Sequence, residues 1–167
     1  TFVAPLTALP NAGLTVSSFS AQPDYPRNIT ITSGGSTGVI QAGTAVVSGL
    51  NVHGKAITES LVVASGTGAS VTVTGNKAFK SVSSVAFPAA SGPGALWAIG
   101  QGGKLGLLRC VDDAGKYVFS EFNSAYDATR GTLAVSSTLV ESNTFIPNSA
   151  LNGSKVELFY VQNFRCF

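Results

Sequence analysis

A chain of 167 residues with ten basic and eight acidic side chains, a net charge of +2 and only 11% charged residues is long enough to bury one core unaided. Its charges form no basic run, so no nucleic acid is expected as a partner. Mean hydropathy is +0.31, yet no window approaches the roughly 18 consecutive apolar residues of a spanning helix, so no membrane is expected either. The apolar excess points instead to burial against other protein chains in a permanent assembly.

Residues 1–14, TFVAPLTALPNAGL, read as an extended N-terminal arm. Pro5 and Pro10 disfavour regular pairing, and the segment lacks the basic start of a signal peptide. Phe2, Val3, Leu6 and Leu9 need cover, which a groove on a neighbouring subunit would supply. Residues 15–167 are expected to form a single β-sandwich domain. Glycine, serine and threonine are abundant, helical periodicity is weak, and turn signals recur about every 8 to 12 residues. The expected strands are NITITS (28–33), GTAVVSGLNV (43–52), KAITESLVVA (55–64), ASVTVTG (69–75), VSSVAFP (82–88), GALWAIG (94–100), GKLGLLRCV (103–111), GKYVFSEF (115–122), TLAVSS (132–137) and KVELFYVQ (155–162). The fold class is therefore all-β: a two-sheet antiparallel sandwich, jelly-roll-like, with strand order left open.

Within SGLNVHGKAITESLVV (48–63), a two-residue turn at His53-Gly54 predicts a hairpin. It sets Val52 opposite Lys55, Leu50 opposite Ile57, Ser48 opposite Glu59 and Val46 opposite Leu61. One face then carries Val46, Leu50, Val52, Ile57 and Leu61. His53, the only histidine, sits at the tip, out of hydrogen-bond reach of Glu59. Glu59 falls on the apolar face between Ile57 and Leu61. It must meet backbone N–H groups or a cation there, with Lys77, Lys80, Lys104 and Arg109 as candidates.

Further along, GQGGKLG (100–106) fails as a phosphate loop. That pattern needs Gly at 98 and Ser or Thr at 105, and the chain has Ala98 and Leu105. A glycine-rich bulge or loop is expected instead. In CVDDAGKYVF (110–119) Asp112 and Asp113 are too few for calcium, and Ala114-Gly115-Lys116 reads as the turn of a second hairpin. A single histidine rules against a Ser-His-Asp triad or a three-histidine zinc site. No catalytic residue, metal ligand or cofactor-binding residue is assigned, and no enzyme activity is expected. Cys110 and Cys166 form no CxxC pair, which leaves a disulfide or two buried thiols open. The sequons at Asn28 and Asn152 matter only in a eukaryotic secretory pathway. The C-terminal KVELFYVQNFRCF is rich in aromatics, and Phe164, Arg165 and Phe167 join Phe2 as expected interface anchors, although the segment also fits a central strand of this domain.

Four recurring parts carry a resemblance: Pro26-Arg27-Asn28 before the first strand, the hairpin from Gly49 through Glu59, Lys77 to Val85, and Gly100 to Leu107. Together they resemble a virion-protein pattern of tailed bacteriophages across about half the chain, and the likeness is one of composition and spacing. It implies a small β-rich capsid decoration (cement) protein. Such a protein would be made in the bacterial cytoplasm, where free cysteines are normal. It would bind the major capsid protein on the outer surface of the head as a homotrimer, bridging capsomers without cofactor or catalytic residues. The alternative is a phage tail or fibre piece, or a carbohydrate-binding sandwich that holds glycans through aromatics such as Trp97 and Tyr126. A sugar platform predicts a row of exposed aromatics on one face; the cement reading predicts aromatics buried at subunit contacts.

Overall fold

The computed structural model describes residues 4–8 (backbone alone), 12–36, 42–63 and 70–161. The strands, in chain order, are β1 (Ala4–Ala8), β2 (Leu14–Val16), β3 (Arg27–Gly35), β4 (Gly43–Leu50), β5 (Ala56–Val63), β6 (Val71–Phe79) and β7 (Ser81–Phe87). They continue with β8 (Ala95–Gly106), β9 (Tyr117–Phe122), β10 (Ala125–Tyr126), β11 (Thr132–Ala134), β12 (Thr144–Ile146) and β13 (Val156–Tyr160). Two 3-10 turns, Ala114–Lys116 and Val140–Ser142, interrupt them. No helix among the described residues is long and apolar enough to cross a membrane.

The fold is an all-β antiparallel sandwich. One sheet runs β11-β12-β8-β3-β6 with β1 also on β8; the other runs β2-β7-β4-β5. Their inner faces share the main core: Ile29, Ile31, Trp97 and Ile99 from the first sheet meet Ala45, Val47, Leu61, Val63, Val85 and Phe87 from the second. Full burial of each large side chain contributes about 1.5–3 kcal/mol, and the Phe87 and Trp97 rings lie 4.9 Å apart across the layers. A third sheet, β10-β9-β13, closes a smaller core of Leu107, Val111, Tyr117 and Phe145.

Several sequence expectations are corrected. GALWAIG and GKLGLLRCV are not two strands, because β8 runs unbroken through the glycines from Ala95 to Gly106. The glycines form a bulge: Arg27 pairs Leu105 and Ile29 pairs Gln101, so β8 carries extra residues there. The N-terminal segment is extended but also paired, since Ala4–Ala8 adds to β8 with a register break between Ala4 and Thr7, the interval that holds Pro5. Proline lacks one donor, and an edge strand tolerates that loss. Finally, the turn of the second hairpin lies at Asn123-Ser124 between β9 and β10, where both residues have positive φ (53° and 62°), the geometry of a tight hairpin turn. Ala114–Lys116 is a 3-10 turn capped by Asp113, whose Oδ1 accepts from Gly115 N at 2.7 Å.

The hairpin of β4 and β5 exists, with His53 exposed near its tip, but its register is one residue from the expected one. Leu50 pairs Ala56, Val47 pairs Glu59 and Ala45 pairs Leu61. The connection is a five-residue loop latched by Asn51: its Oδ1 accepts from His53 N and Lys55 N, both at 3.0 Å, and its backbone N donates to Lys55 O at 2.9 Å. A one-residue slip exchanges faces. Ala45, Val47 and Gly49 are accordingly the buried residues of β4, while Leu50 is 40% exposed.

Candidate docking surface

The four segments of the resemblance converge beside the bulge. Asn28, fully buried, donates from Nδ2 to Gly75 O at 2.9 Å and accepts at Oδ1 from Lys104 N at 2.9 Å. Pro26 O accepts from Gly106 N at 2.7 Å. Gly102 has no room for a side chain, because a Cβ there would meet the Asn28 amide at 2.5 Å. Glu59 lies on the same face as buried Ile57 and Leu61, and it meets backbone N–H groups: Oε1 accepts from Asn76 N at 2.6 Å and Lys77 N at 3.2 Å. Lys104 Nζ donates to Asn76 Oδ1 and Lys77 Nζ to Thr58 O. These residues satisfy one another and the backbone, so the motif holds the sandwich together. Asn28 is therefore no glycan acceptor.

A second lock fixes the connection after β8. Asn143, also fully buried, accepts at Oδ1 from Val111 N (2.8 Å) and Ser136 N (3.1 Å) and donates from Nδ2 to Leu139 O (2.8 Å) and Ser136 O (2.9 Å). Cys110, beside it and fully buried, is disulfide-bonded. The chain's one other cysteine is Cys166, which lies outside the described residues. Asp112 pairs with Lys116, and no group of three or more His, Cys, Asp or Glu among the described residues is arranged to hold a metal.

The outward face of the third sheet is different. Phe159 pairs with Phe119, Glu157 with Glu121, and Tyr126 with Glu121 on the other side, so all five side chains share one face. The opposite face, with Ser120, Val156 and Leu158, packs on the smaller core. Val118 is the extra residue of a bulge between the Phe119 and Tyr117 pairings, and it is exposed. The Phe119 and Phe159 rings stack at 4.2 Å and 16°, and Tyr126 stands 6.2 Å from Phe119. Tyr126 is 69% and Phe159 42% exposed. Lys155 Nζ lies 2.8 Å from Glu157 Oε1. Among the described residues Glu121 has no salt-bridge partner.

A cleft of about 360 Å³ separates this sheet from the end of β8; Tyr25, Arg27, Leu107, Phe145, Leu158 and Tyr160 are among its walls. Burial raises the Tyr25 phenol above its ordinary pKa. Tyr160 is raised first by burial and then by Tyr25, against a lowering by Arg109.

The expected interface residues Phe2, Val3, Leu9, Phe164, Arg165 and Phe167 lie outside the described residues, and Leu6 lies in β1, whose backbone alone is described. Trp97, offered for a sugar platform, is 4% exposed and belongs to the core, whereas Tyr126 is on the surface. Sequence reasoning missed the face formed by Phe119, Glu121, Glu157 and Phe159. Its signal was the Phe-x-Glu and Glu-x-Phe alternation in two strands, which gains meaning only once the pairing of β9 with β13 is known. No family model, curated protein or solved structure matches this chain.

Proposed function

We propose that the chain is a structural virion protein, a decoration (cement) protein that binds the major capsid protein on the outside of an icosahedral phage head, as a homotrimer, and stabilises the head by bridging capsomers. The observation that carries docking is the outward face of β9, β10 and β13, where Phe119, Phe159 and Tyr126 form an aromatic strip on a chain with few charges. Exposed aromatics grouped on one face are typical anchors of protein interfaces. The phage assignment rests on the resemblance of the segments gathered around Asn28 and Glu59. Several equivalent sites on a shell make modest single contacts sufficient.

A glycan-binding module is the second reading, favoured by the row of Phe119, Phe159 and Tyr126 on one surface, the arrangement expected of a sugar platform. Against it, Phe119 and Phe159 stack face to face, so each covers a ring face that a sugar would need. Mixing the purified chain with capsids that lack it, then sedimenting them, separates the two. The decoration reading predicts co-sedimentation at a fixed copy number and greater resistance of the capsids to heat. Retention on host cell-wall glycans with no capsid binding overturns it.

A further inference from the structure

We infer that the outer face of β9, β10 and β13 seats a basic, apolar segment of a partner protein, with an arginine side chain received between Glu121 and Glu157 and laid against the open ring of Tyr126. The inference rests on the reading of the chain as a docking protein and names the chemistry of its partner. Glu121 and Glu157 are direct cross-strand partners, so their Cα atoms stand roughly 4.5–5.5 Å apart. Like charges in that relation oppose sheet pairing, and a chain with eight acidic residues in all had other places to put them. Where a local rule is broken and only partly remedied inside the chain, function is the usual reason.

The site already attracts one cation. Lys155 reaches Glu157 at 2.8 Å from a position 65% exposed at the rim. Glu121 is half-buried and is left without a salt bridge among the described residues. Two carboxylates against one ammonium leave the face negative by one charge, beside the stacked Phe119 and Phe159 and the open ring of Tyr126. A guanidinium matches both features, since its planar fork engages carboxylates and its face lies on aromatic rings. The same negative charge turns away nucleic-acid phosphates and anionic lipid. The apolar rings ask for aliphatic or aromatic neighbours beside the arginine, which a protein strand or loop supplies.

The test titrates the isotopically labelled full chain with a blocked hexapeptide of alternating arginine and leucine, followed by amide NMR shifts, with a glutamate-leucine hexapeptide as control. Shifts should concentrate in residues 117–126 and 155–161, the acidic peptide should not bind, and the double variant Glu121→Gln with Glu157→Gln should weaken binding tenfold or more. Both changes are isosteric and relieve a repulsion, so the fold should persist, and the amide spectrum of the free variant verifies it. Equal affinity in that folded variant, shifts located elsewhere, equal binding of the acidic peptide, or no binding of the basic one overturns the inference. Capsid sedimentation of the same variant separates this failure from that of the function. If the wild-type chain and the variant sediment equally, the clamp is wrong and the decoration role survives. If the basic peptide binds at this face but no capsid does, the clamp survives and the decoration role fails.

Discussion

Asn28 and Glu59 are polar groups placed where polar groups are destabilising unless every atom is answered, and both are answered by backbone. Replacing Asn28 with Ala leaves Gly75 O and Lys104 N without their partner and should lower unfolding free energy by roughly 2–4 kcal/mol in urea denaturation. A loss under about 0.5 kcal/mol would contradict the account. Glu59's need for a partner was legible, because a carboxylate between Ile57 and Leu61 on an apolar face demands one. Asn28 was not, since nothing in its neighbours distinguishes it from an ordinary polar residue at the start of a strand. The two cleft tyrosines give a pH prediction. Their folded pKa values lie above the ordinary 10.0, so the folded state holds those protons longer than the unfolded chain. Their contribution is complete below about pH 10 and is lost as pH rises through the folded values. The urea midpoint should therefore fall above pH 10, and fall less in Tyr160→Phe. An identical fall in wild type and variant would contradict the assignment.

At the scale of elements, most strands were legible because alternation of apolar and polar side chains marks them whatever their partners. Register was not. The dipeptide His53-Gly54 suggested a two-residue turn, but the Asn51 side chain folds the chain into a longer loop, and the slip moved Val47 inward and Leu50 outward. β8 was divided in sequence because glycines look like punctuation, whereas the strand runs through them and Gly102 makes room for the Asn28 amide. The turn at Asn123-Ser124 offers a direct check: Ser124 has φ of 62°, a region that strains residues with a Cβ. Ser124→Gly should stabilise by roughly 0.5–1 kcal/mol after the extra flexibility of glycine in the unfolded chain is offset. A destabilisation of that size would show the turn to be otherwise built. Gly49→Ala should act in reverse, by about 1–3 kcal/mol, because a Cβ there runs into the Ser81 carbonyl.

At the scale of the molecule, the sandwich encloses the main core and the third sheet closes a smaller one, and Cys110, buried in the connection after β8, is disulfide-bonded. A native disulfide contributes about 2–4 kcal/mol, largely by constraining the unfolded chain. Cys110→Ser should thus lower the thermal midpoint under oxidising conditions and leave it insensitive to reductant. A variant as stable as the oxidised wild type would contradict the disulfide. The all-β class was legible from composition and turn spacing. The proposed docking face was not, because it exists only after the β9-β10 hairpin pairs with β13, about thirty residues further along the chain. Its combination of stacked rings and opposed carboxylates is the feature that the sandwich itself does not require. Electron cryomicroscopy of phage capsids saturated with the full chain tests the central claim most directly. The account predicts density for the sandwich on the outer shell at fixed positions, with Phe119, Tyr126 and Phe159 turned against another protein chain. Capsids with no added density, or bound molecules that leave this face open to solvent, would contradict it.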